Sequence, residues 1–202
     1  MIMKYLSSNK FLHLHGLRPH MKFMLPVLLV SAFTTAQTLE LDVPYVETPP
    51  EIVKLMLDMA EITPDDYVID LGTGDGRIVI AAVQRGATGL GIDLDPQRIK
   101  EAKINAMNAG VSDRVKFLEQ DLFAADISRA TVVTMFLNSE VNLRVRPMLF
   151  EQLKPGTRVV SHNFDMGDWQ PDLYEQAMMN TNNNFYIHDV YLWVVPAVVE
   201  GQ

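Results

Sequence analysis

Residues 68–77 read Val-Ile-Asp-Leu-Gly-Thr-Gly-Asp-Gly-Arg, and this stretch decides the class of fold. It begins inside an apolar run from Tyr67 to Leu71, which is typical of a short buried strand. Gly72, Gly74 and Gly76 then follow at alternate positions, where they let the backbone turn tightly and let a ligand approach the peptide groups. A helical pattern comes next. Strand, glycine-rich turn and helix in this order predict a ligand-binding unit of a parallel sheet.

The rest of the chain alternates strand-like and helix-like stretches, which predicts an α/β fold wound around a mostly parallel sheet. Thr48, followed by Pro-Pro-Glu, has the pattern of a helix-capping residue. Two last strand-like runs, 173–178 and 185–195, flank an Asn-rich segment and predict an antiparallel hairpin at one edge of the sheet. The other predicted strands are 67–71, 88–92, 114–119, 131–137 and 157–164, with helices over 77–85, 96–109 and 139–153.

The length of 202 residues predicts one domain with a short appendage. The net charge is −8, but residues 1–36 carry four basic and no acidic side chains, so the remainder holds 13 basic and 25 acidic ones. Such an acidic body repels nucleic acid and favours cationic partners. The absence of cysteine excludes disulfides, thiolate metal sites and a cysteine nucleophile. Two isolated histidines, His162 and His188, lack nearby ligand-spaced carboxylates, so we expect no metal site.

The N-terminal segment 1–36 has the pattern of a secretory signal peptide. From Met21 it shows one positive charge, an apolar stretch of about eleven residues and small residues ending at Ala36. It is too short for a convincing membrane-spanning helix, and an apolar helix packed on the domain is the alternative. We expect residues 37–47 to form a linker, residues 48–202 to form the domain, and membrane contact to occur only through the N-terminal segment.

Carboxylates at the ends of three strands indicate which ligand the turn binds. The last position of a dinucleotide-binding fingerprint, which requires Gly or Ala, is Arg77. Asp70 ends the first strand, where a carboxylate attracts an ammonium or sulfonium group, and S-adenosylmethionine carries both. Asp93 follows Gly72 by 21 residues, the usual spacing for a carboxylate that accepts from ribose hydroxyls. Asp121 ends the third strand and can accept from the adenine amino group.

Four segments and Trp169 resemble a known family. Residues 43–195 are similar to class I S-adenosylmethionine-dependent methyltransferases, above all to the small archaeal-type protein-lysine methyltransferases. These are relatives of the mitochondrial enzyme that methylates an ATP synthase subunit. The matching segments are 43–49 (Val-Pro-Tyr-Val-Glu-Thr-Pro), 70–77, 132–138 (Val-Val-Thr-Met-Phe-Leu-Asn) and 154–162 (Lys-Pro-Gly-Thr-Arg-Val-Val-Ser-His). The chain departs from the family pattern at position 47. The family has proline after Tyr-Val, whereas this chain has Glu47.

The resemblance implies a Rossmann-like, doubly wound seven-strand sheet with the last strand antiparallel, a monomer, and methylation of lysine ε-amines on a protein substrate. It also implies a cofactor, S-adenosylmethionine, and the residues around it. Tyr45 and Thr48 would lie over its methionine end, Asp70, Gly72 and Gly74 beneath that end, Asp93 at the ribose and Asp121 at the adenine.

Asn138 and Glu140 follow the fourth strand, where the methyl acceptor is expected to approach. We expect Asn138 to position the amine, Glu140 to attract the incoming cation and Tyr45 to form an aromatic wall; a helix-cap role is the alternative for the first two. A lysine must lose a proton that it holds with a pKa near ~10.4. Burial beside a sulfonium lowers that pKa, so no dedicated base is expected.

Other functions stay open on sequence alone. The Asn/Asp-Pro-Pro-aromatic tetrad of many base and glutamine methyltransferases is absent, since Ser139 and Glu140 follow Asn138. An exported protein would lack its methyl donor, which is made in the cytoplasm, so a non-catalytic binding module of the same fold is one alternative. A small-molecule methyltransferase is another. Export, tethering to a membrane and retention in the cytoplasm are the three locations considered, with export first.

Overall fold

The structure, a computed structural model, describes residues 45–181 and 184–197. The signal-peptide-like segment and residues 37–44 of the predicted linker lie outside the described residues. The helices are α1 (Pro50–Met59), α2 (Arg77–Gln84), α3 (Pro96–Asn108) and α4 (Ser139–Gln152), with a 3-10 turn at Leu122–Ala124. The strands are β1 (Tyr67–Leu71), β2 (Thr88–Asp93), β3 (Val115–Glu119), β4 (Val132–Met135), β5 (Arg158–His162), β6 (Leu173–Thr181) and β7 (Asn184–Val194).

These strands form one seven-stranded sheet in the order β3-β2-β1-β4-β5-β7-β6. The pairs from β3 to β5 are parallel, whereas β7 runs antiparallel to both β5 and β6. The predicted seven-strand sheet with an antiparallel last strand is confirmed, and the hairpin lies at the edge as expected. The chain reverses its direction of winding between β1 and β4, and ligands of open α/β sheets bind above such a point.

Helices cover both faces of the sheet. Side chains alternate along each strand, so Val68 and Val132 face α1, α2 and α3, while Ile69 and Val133 face α4. The strands are therefore apolar on both sides, as a central parallel sheet requires. Among the described helices, none combines the length and the apolar character needed to cross a membrane.

The predicted role of Thr48 as a helix cap was wrong. Helix α1 begins one residue later than the pattern indicated, with Pro49 as its N-cap and no side-chain hydrogen bond to the first turn. The Thr48 side chain is buried, and its Oγ1 lies 3.2 Å from Nδ1 of His162. A hydroxyl that already has a buried partner is not available to the helix.

Several strand ends differ from the predictions. β4 stops at Met135, two residues early, because Phe136 and Leu137 leave the ladder and line the cleft described below. β5 stops at His162, because Asn163 adopts a left-handed conformation with φ of 64°. The strands of the hairpin are longer at its tip, since β6 continues to Thr181 and β7 starts at Asn184.

Candidate active site

A cleft opens at the carboxyl ends of β1, β2 and β4, above the point where the strand order reverses. Its lining combines the glycine-rich turn, the segment before α1 and the loops after β2, β3 and β4. Six of the nine predicted site residues line it: Tyr45, Thr48, Gly72, Gly74, Asp93 and Asp121. The main additions that sequence reasoning missed are Thr73, Asp75, Arg77, Arg98, Gln120, Phe136, Leu137 and Val141.

The glycine-rich turn has no room for a side chain at two of its glycines. Gly74 has φ of 54°, and a Cβ built there would lie 2.5 Å from Cε2 of Tyr45. Gly72 has φ of 71°, and its Cβ would lie 2.6 Å from Cδ2 of Leu137. The turn is therefore packed between an aromatic ring on one side and a leucine on the other, at a distance that only glycine allows.

Arg77 ties the segment before α1 to this turn. Its guanidinium donates two hydrogen bonds to Asp75, at 2.9 and 2.7 Å, and a third of 3.1 Å to the carbonyl of Thr48. It also lies 3.3 Å from the hydroxyl of Tyr45 and 3.2 Å from the carboxylate of Glu47. Glu47, the departure from the family pattern, thus joins the same ionic cluster. Burial opposes ionisation of Asp75, but the bonds from Arg77 outweigh it and hold its pKa below the ordinary range.

Tyr45 forms a lid over the turn. The Arg98 guanidinium lies over the Tyr45 ring, 4.4 Å from its centroid, and the opposite part of the ring edge approaches Gly74. Partial burial, followed by the charge of Asp75, raises the pKa of its phenol, so the hydroxyl stays protonated. The ring is positioned by two arginines and stays 38% exposed, open to the cleft.

Asp93 joins β2 to the glycine-rich turn. Its Oδ2 accepts from the backbone N–H of Gly74 at 2.7 Å, and its Oδ1 accepts from that of Asp95 at 2.9 Å. Each carboxylate oxygen has a second lone pair, so Asp93 can still accept from a ligand in the cleft. Asp121 is exposed on the same lining and accepts from the N–H of Phe123 at 2.9 Å, which caps the 3-10 turn.

The structure places Asp70 beneath the cleft and not on its surface. The carboxylate is 1% exposed and accepts from the hydroxyls of Thr134, at 2.6 Å, and Thr73, at 2.7 Å. Burial raises its pKa to about 7, although the two hydroxyls act in the opposite direction. Direct contact between Asp70 and a ligand is therefore replaced by an indirect role: the carboxylate holds Thr73, which does line the cleft.

Asn138 and Glu140 also lie outside the lining. Asn138 is the N-cap of α4, and its Oδ1 accepts from the N–H of Val141 at 2.8 Å. Glu140 lies exposed in the first turn of the same helix. The cap alternative holds for Asn138, and the acceptor-side roles of both residues stay predictions.

A buried chain of polar contacts behind the cleft was not predicted. His162 touches Thr48 through Nδ1 and lies 2.9 Å from Nδ1 of His188 through Nε2. The ring of Phe136, which lines the cleft, packs on His162 with 4.0 Å between the ring centroids. Burial, then the neighbouring His188, lowers the pKa of His162 to about 3, so the ring is neutral at pH 7. Thr48 and His162 are 114 residues apart, and no local pattern signals such a contact.

Within the described ranges, no three or more His, Cys, Asp or Glu side chains group closely enough to hold a metal ion. The cleft instead suits a nucleoside with a charged amino-acid tail. It offers the close-packed glycine turn at Gly72 and Gly74, carboxylates at the ends of β2 and β3, and an aromatic lid. These donors and acceptors fit S-adenosylmethionine. The sheet also has the seven strands and the antiparallel last strand that the family resemblance implies. The fold and the site together define a class I S-adenosylmethionine-dependent methyltransferase.

Comparisons with known proteins agree with this class. The family model described as the ANTKMT methyltransferase domain matches residues 70–173, and the chain belongs to this family. A protein-lysine N-methyltransferase of Saccharolobus islandicus (strain REY15A) is 43% identical over 155 residues, which are 76% of this chain and 94% of the relative. The adenine nucleotide translocase lysine N-methyltransferase of Mus musculus is 37% identical over 134 residues, which are 66% of this chain and 58% of the relative.

A solved structure is similar as well. It is described as an RNA methyltransferase from Salinibacter ruber in complex with S-adenosyl-L-homocysteine. It is 48% identical, with a TM-score of 0.68, and the match covers 78% of this chain and 98% of that one. The predicted enzyme class and the predicted cofactor are confirmed, and the non-catalytic alternative is set aside.

Proposed function

We propose that this chain is a protein-lysine N-methyltransferase. The observation that carries the proposal is the near-complete match to a protein-lysine N-methyltransferase, 94% of whose length aligns with this chain at 43% identity. The acidic body supports it, because residues 37–202 hold 25 acidic against 13 basic side chains and attract a cationic acceptor.

The chain's own residues divide between holding the donor and receiving the acceptor. Bound in the cleft, S-adenosylmethionine supplies an electrophilic methyl group for in-line transfer to an amine. Asp93 would accept from the ribose hydroxyls and Asp121 from the adenine amino group. Thr48 and Tyr45 would face the methionine end. The protein mainly contributes orientation, since holding nucleophile and methyl group at near-attack distance supplies a large part of the rate.

The acceptor would enter beside Tyr45 and Phe136, the two aromatic rings of the lining. An ammonium group is attracted to an aromatic face, although Arg98 already covers one face of Tyr45 and His162 packs on Phe136. It loses its proton more readily once it leaves water for the cleft, because burial disfavours the charged form of an amine. Glu140, exposed at the start of α4, would attract the cation, and Asn138 would orient the amine.

RNA is the second acceptor to be tested, because the Salinibacter ruber structure is described as an RNA methyltransferase. The charge of this chain argues against it. Affinity for RNA depends on Lys and Arg neutralising phosphates, and residues 159–202, which include the hairpin, contain neither residue. A small-molecule acceptor is the third, and the assay below includes all three.

Substituting Gly74 by alanine tests the function and its cleft together. We expect Gly74→Ala to lose S-adenosylmethionine binding by calorimetry and methyl transfer to protein lysine by mass spectrometry, because the new Cβ would displace Tyr45. Gly110→Ala is the matched control. Gly110 also has positive φ, 70°, but nothing lies within 4 Å of its Cβ position. Each alanine costs about 1–2 kcal/mol of backbone strain, so only the steric effect differs.

One result would contradict the proposed acceptor, and two would contradict the role of the glycine turn. If wild-type protein binds S-adenosylmethionine but methylates RNA or a small amine, and no protein lysine, then that molecule is the acceptor and protein lysine is not. Equal loss of binding in both alanine variants would mean that strain, and not the shape of the cleft, controls the site. Full binding by Gly74→Ala would remove the turn from the cofactor site.

Two further features are also proposals. We propose that the enzyme is a monomer, which light scattering of the purified chain tests. We also propose that residues 1–36 direct export or tether the protein to a membrane, on the pattern described from Met21 to Ala36. Sequencing the N-terminus of the protein after expression in its own cells tests the second proposal, since export predicts cleavage after Ala36 and tethering predicts an intact segment.

A further inference from the structure

The β6–β7 hairpin extends beyond its neighbour at the edge where the cleft lies. β5 pairs with β7 from Arg158 opposite Val194 to His162 opposite Val190, and β5 then ends. The stretch Asn184–Asp189 continues past that point and pairs with Gln176–Thr181 of β6, and Asp189 also exchanges hydrogen bonds with Asn163. Six residues of strand span roughly 20 Å at about 3.3 Å per residue. We refer to Gln176–Thr181 and Asn184–Asp189 together as the projecting hairpin.

The projecting hairpin carries large apolar side chains in contact with water. Met178 and Phe185 are each 68% exposed, Ile187 is 53% exposed and Tyr186 is 52% exposed. Met178 lies directly opposite Ile187, and Phe185 is two residues from Ile187, so these three share one face of the hairpin. A contiguous apolar surface on a soluble domain marks an interaction site more often than an isolated exposed residue does.

The two strands of the hairpin carry charge of one sign. Leu173–Thr181 and Asn184–Val194 contain no lysine or arginine, and their acidic side chains are Glu175 and Asp189. An apolar surface with carboxylates beside it and no basic side chain on its strands is complementary to a polypeptide that combines apolar and basic residues, and it repels anionic phosphates. Along its outer edge β6 has no strand partner among the described residues and no Lys, Arg or Pro to block one. An extended segment can pair there.

We propose that the projecting hairpin is the docking surface for the polypeptide substrate and selects acceptor lysines that have apolar residues nearby. This inference rests on the proposed function, since it names the substrate class for the same cleft. The apolar face would hold the residues that flank the lysine, while the lysine enters beside Tyr45. His188, on the opposite face of β7, joins the hairpin to the cleft through His162 and Thr48.

The test measures peptide binding to the full chain, independently of catalysis. Two labelled peptides carry the same single lysine, one flanked by Leu and Phe and the other by Ser. We expect wild-type protein to bind the apolar peptide at least tenfold more tightly in fluorescence anisotropy. Met178→Ser with Phe185→Ser should weaken the Kd for that peptide by about tenfold. The Kd of the polar peptide and of S-adenosylmethionine should not change.

Met107→Ser is the matched control, because Met107 is 66% exposed, close to the 68% of Met178. It lies on α3, which packs against β3 at the opposite edge of the sheet from the hairpin. Met107→Ser should leave every Kd unchanged. An unchanged Kd in the hairpin variants would overturn the proposal. The proposal would also be overturned if the hairpin variants kept the peptide Kd but lost a dimer in light scattering. Loss of binding to phosphatidylcholine vesicles with an unchanged peptide Kd would overturn it as well. If wild-type protein binds the apolar peptide but transfers no methyl group, the docking surface stands and the proposed function fails.

Discussion

Asp70 illustrates at the scale of one residue how the site is held. Its position near the end of β1 correctly marks the turn that follows, but its side chain points to Thr134, 64 residues away, and to Thr73. Local sequence could predict Gly72, Gly74, Asp93 and Asp121 as lining residues because their positions follow from strand ends and turn geometry. It could not predict which way Asp70 faces, because a partner on another strand decides that.

Replacing Asp70 by asparagine should change how stability depends on pH. The pKa of Asp70 is raised from 3.8 to about 7 in the folded protein, so the folded state keeps this proton longer than the unfolded state. The folded state is therefore stabilised by this group below pH 4 and loses that contribution as the pH rises towards 7. Relative to wild type, Asp70→Asn should gain on the order of 4 kcal/mol in unfolding free energy between pH 4 and pH 7.5.

Urea unfolding of both proteins at four pH values measures this difference. Any hydrogen bond that asparagine makes or loses adds a constant offset, so the slope against pH is the informative quantity. A difference that does not vary with pH would mean that Asp70 is ionised in the folded protein throughout this range.

At the scale of elements, the start of α4 combines structure with the predicted acceptor role. The Asn138 side chain caps the helix, as its bond to the Val141 N–H shows. Aspartate is an equally good cap, whereas alanine is not. A side chain that also orients an amine has a second requirement, which capping alone does not impose.

Two substitutions at Asn138 separate these roles. We expect Asn138→Ala to lower the unfolding free energy by about 1 kcal/mol. Asn138→Asp should keep the stability but lower kcat for lysine methylation at least tenfold, because it replaces the amide with a charge beside the incoming cation. Thermal unfolding and steady-state kinetics measure the two effects. If Asn138→Asp retains wild-type kcat, Asn138 is only a helix cap.

Element ends show where periodicity is insufficient as a guide. Phe136 and Leu137 continue the apolar run of β4, so they read as strand, yet they leave the sheet and face the cleft. A buried strand and a cleft lining have the same apolar character in the sequence, and only the three-dimensional structure distinguishes them. The hairpin strands were predicted too short for the opposite reason, since their outer residues pair well but are polar or exposed.

At the scale of the whole molecule, the sheet order follows from the alternation of elements and from the family resemblance, but the contacts between distant segments do not. The contact of Thr48 with His162 joins the first described turn to the middle of the sheet. The same contact places a second buried titratable group near the site. Its effect on stability has the opposite sign to that of Asp70.

His162→Gln should therefore give the mirror image of the Asp70 result. The pKa of His162 is lowered from 6.5 to about 3, because the ring is buried and faces His188, while Asp189 acts in the opposite direction. The unfolded state binds this proton first, so the wild-type protein loses stability from this group as the pH falls from 6.5 towards 3. Relative to wild type, His162→Gln should gain stability on acidification from pH 6.5 to pH 4.

The two contributions partly cancel between pH 4 and 6.5 in the wild-type protein. Urea unfolding should then give slopes of opposite sign for the two single variants, each measured against wild type, and their double variant should follow the wild-type slope. The double variant's unfolding free energy, measured against wild type, could instead vary with pH as steeply as that of either single variant. That result would show that the two groups do not titrate independently of the remaining carboxylates.

The projecting hairpin has one more consequence, which concerns self-modification. An enzyme that methylates lysine is exposed to its own amines, and any lysine near its entrance would compete with the substrate in every turnover. From residue 155 to the end of the chain there is no lysine at all. A polypeptide that docks on the hairpin, as proposed, would therefore meet no rival lysine on the hairpin strands themselves.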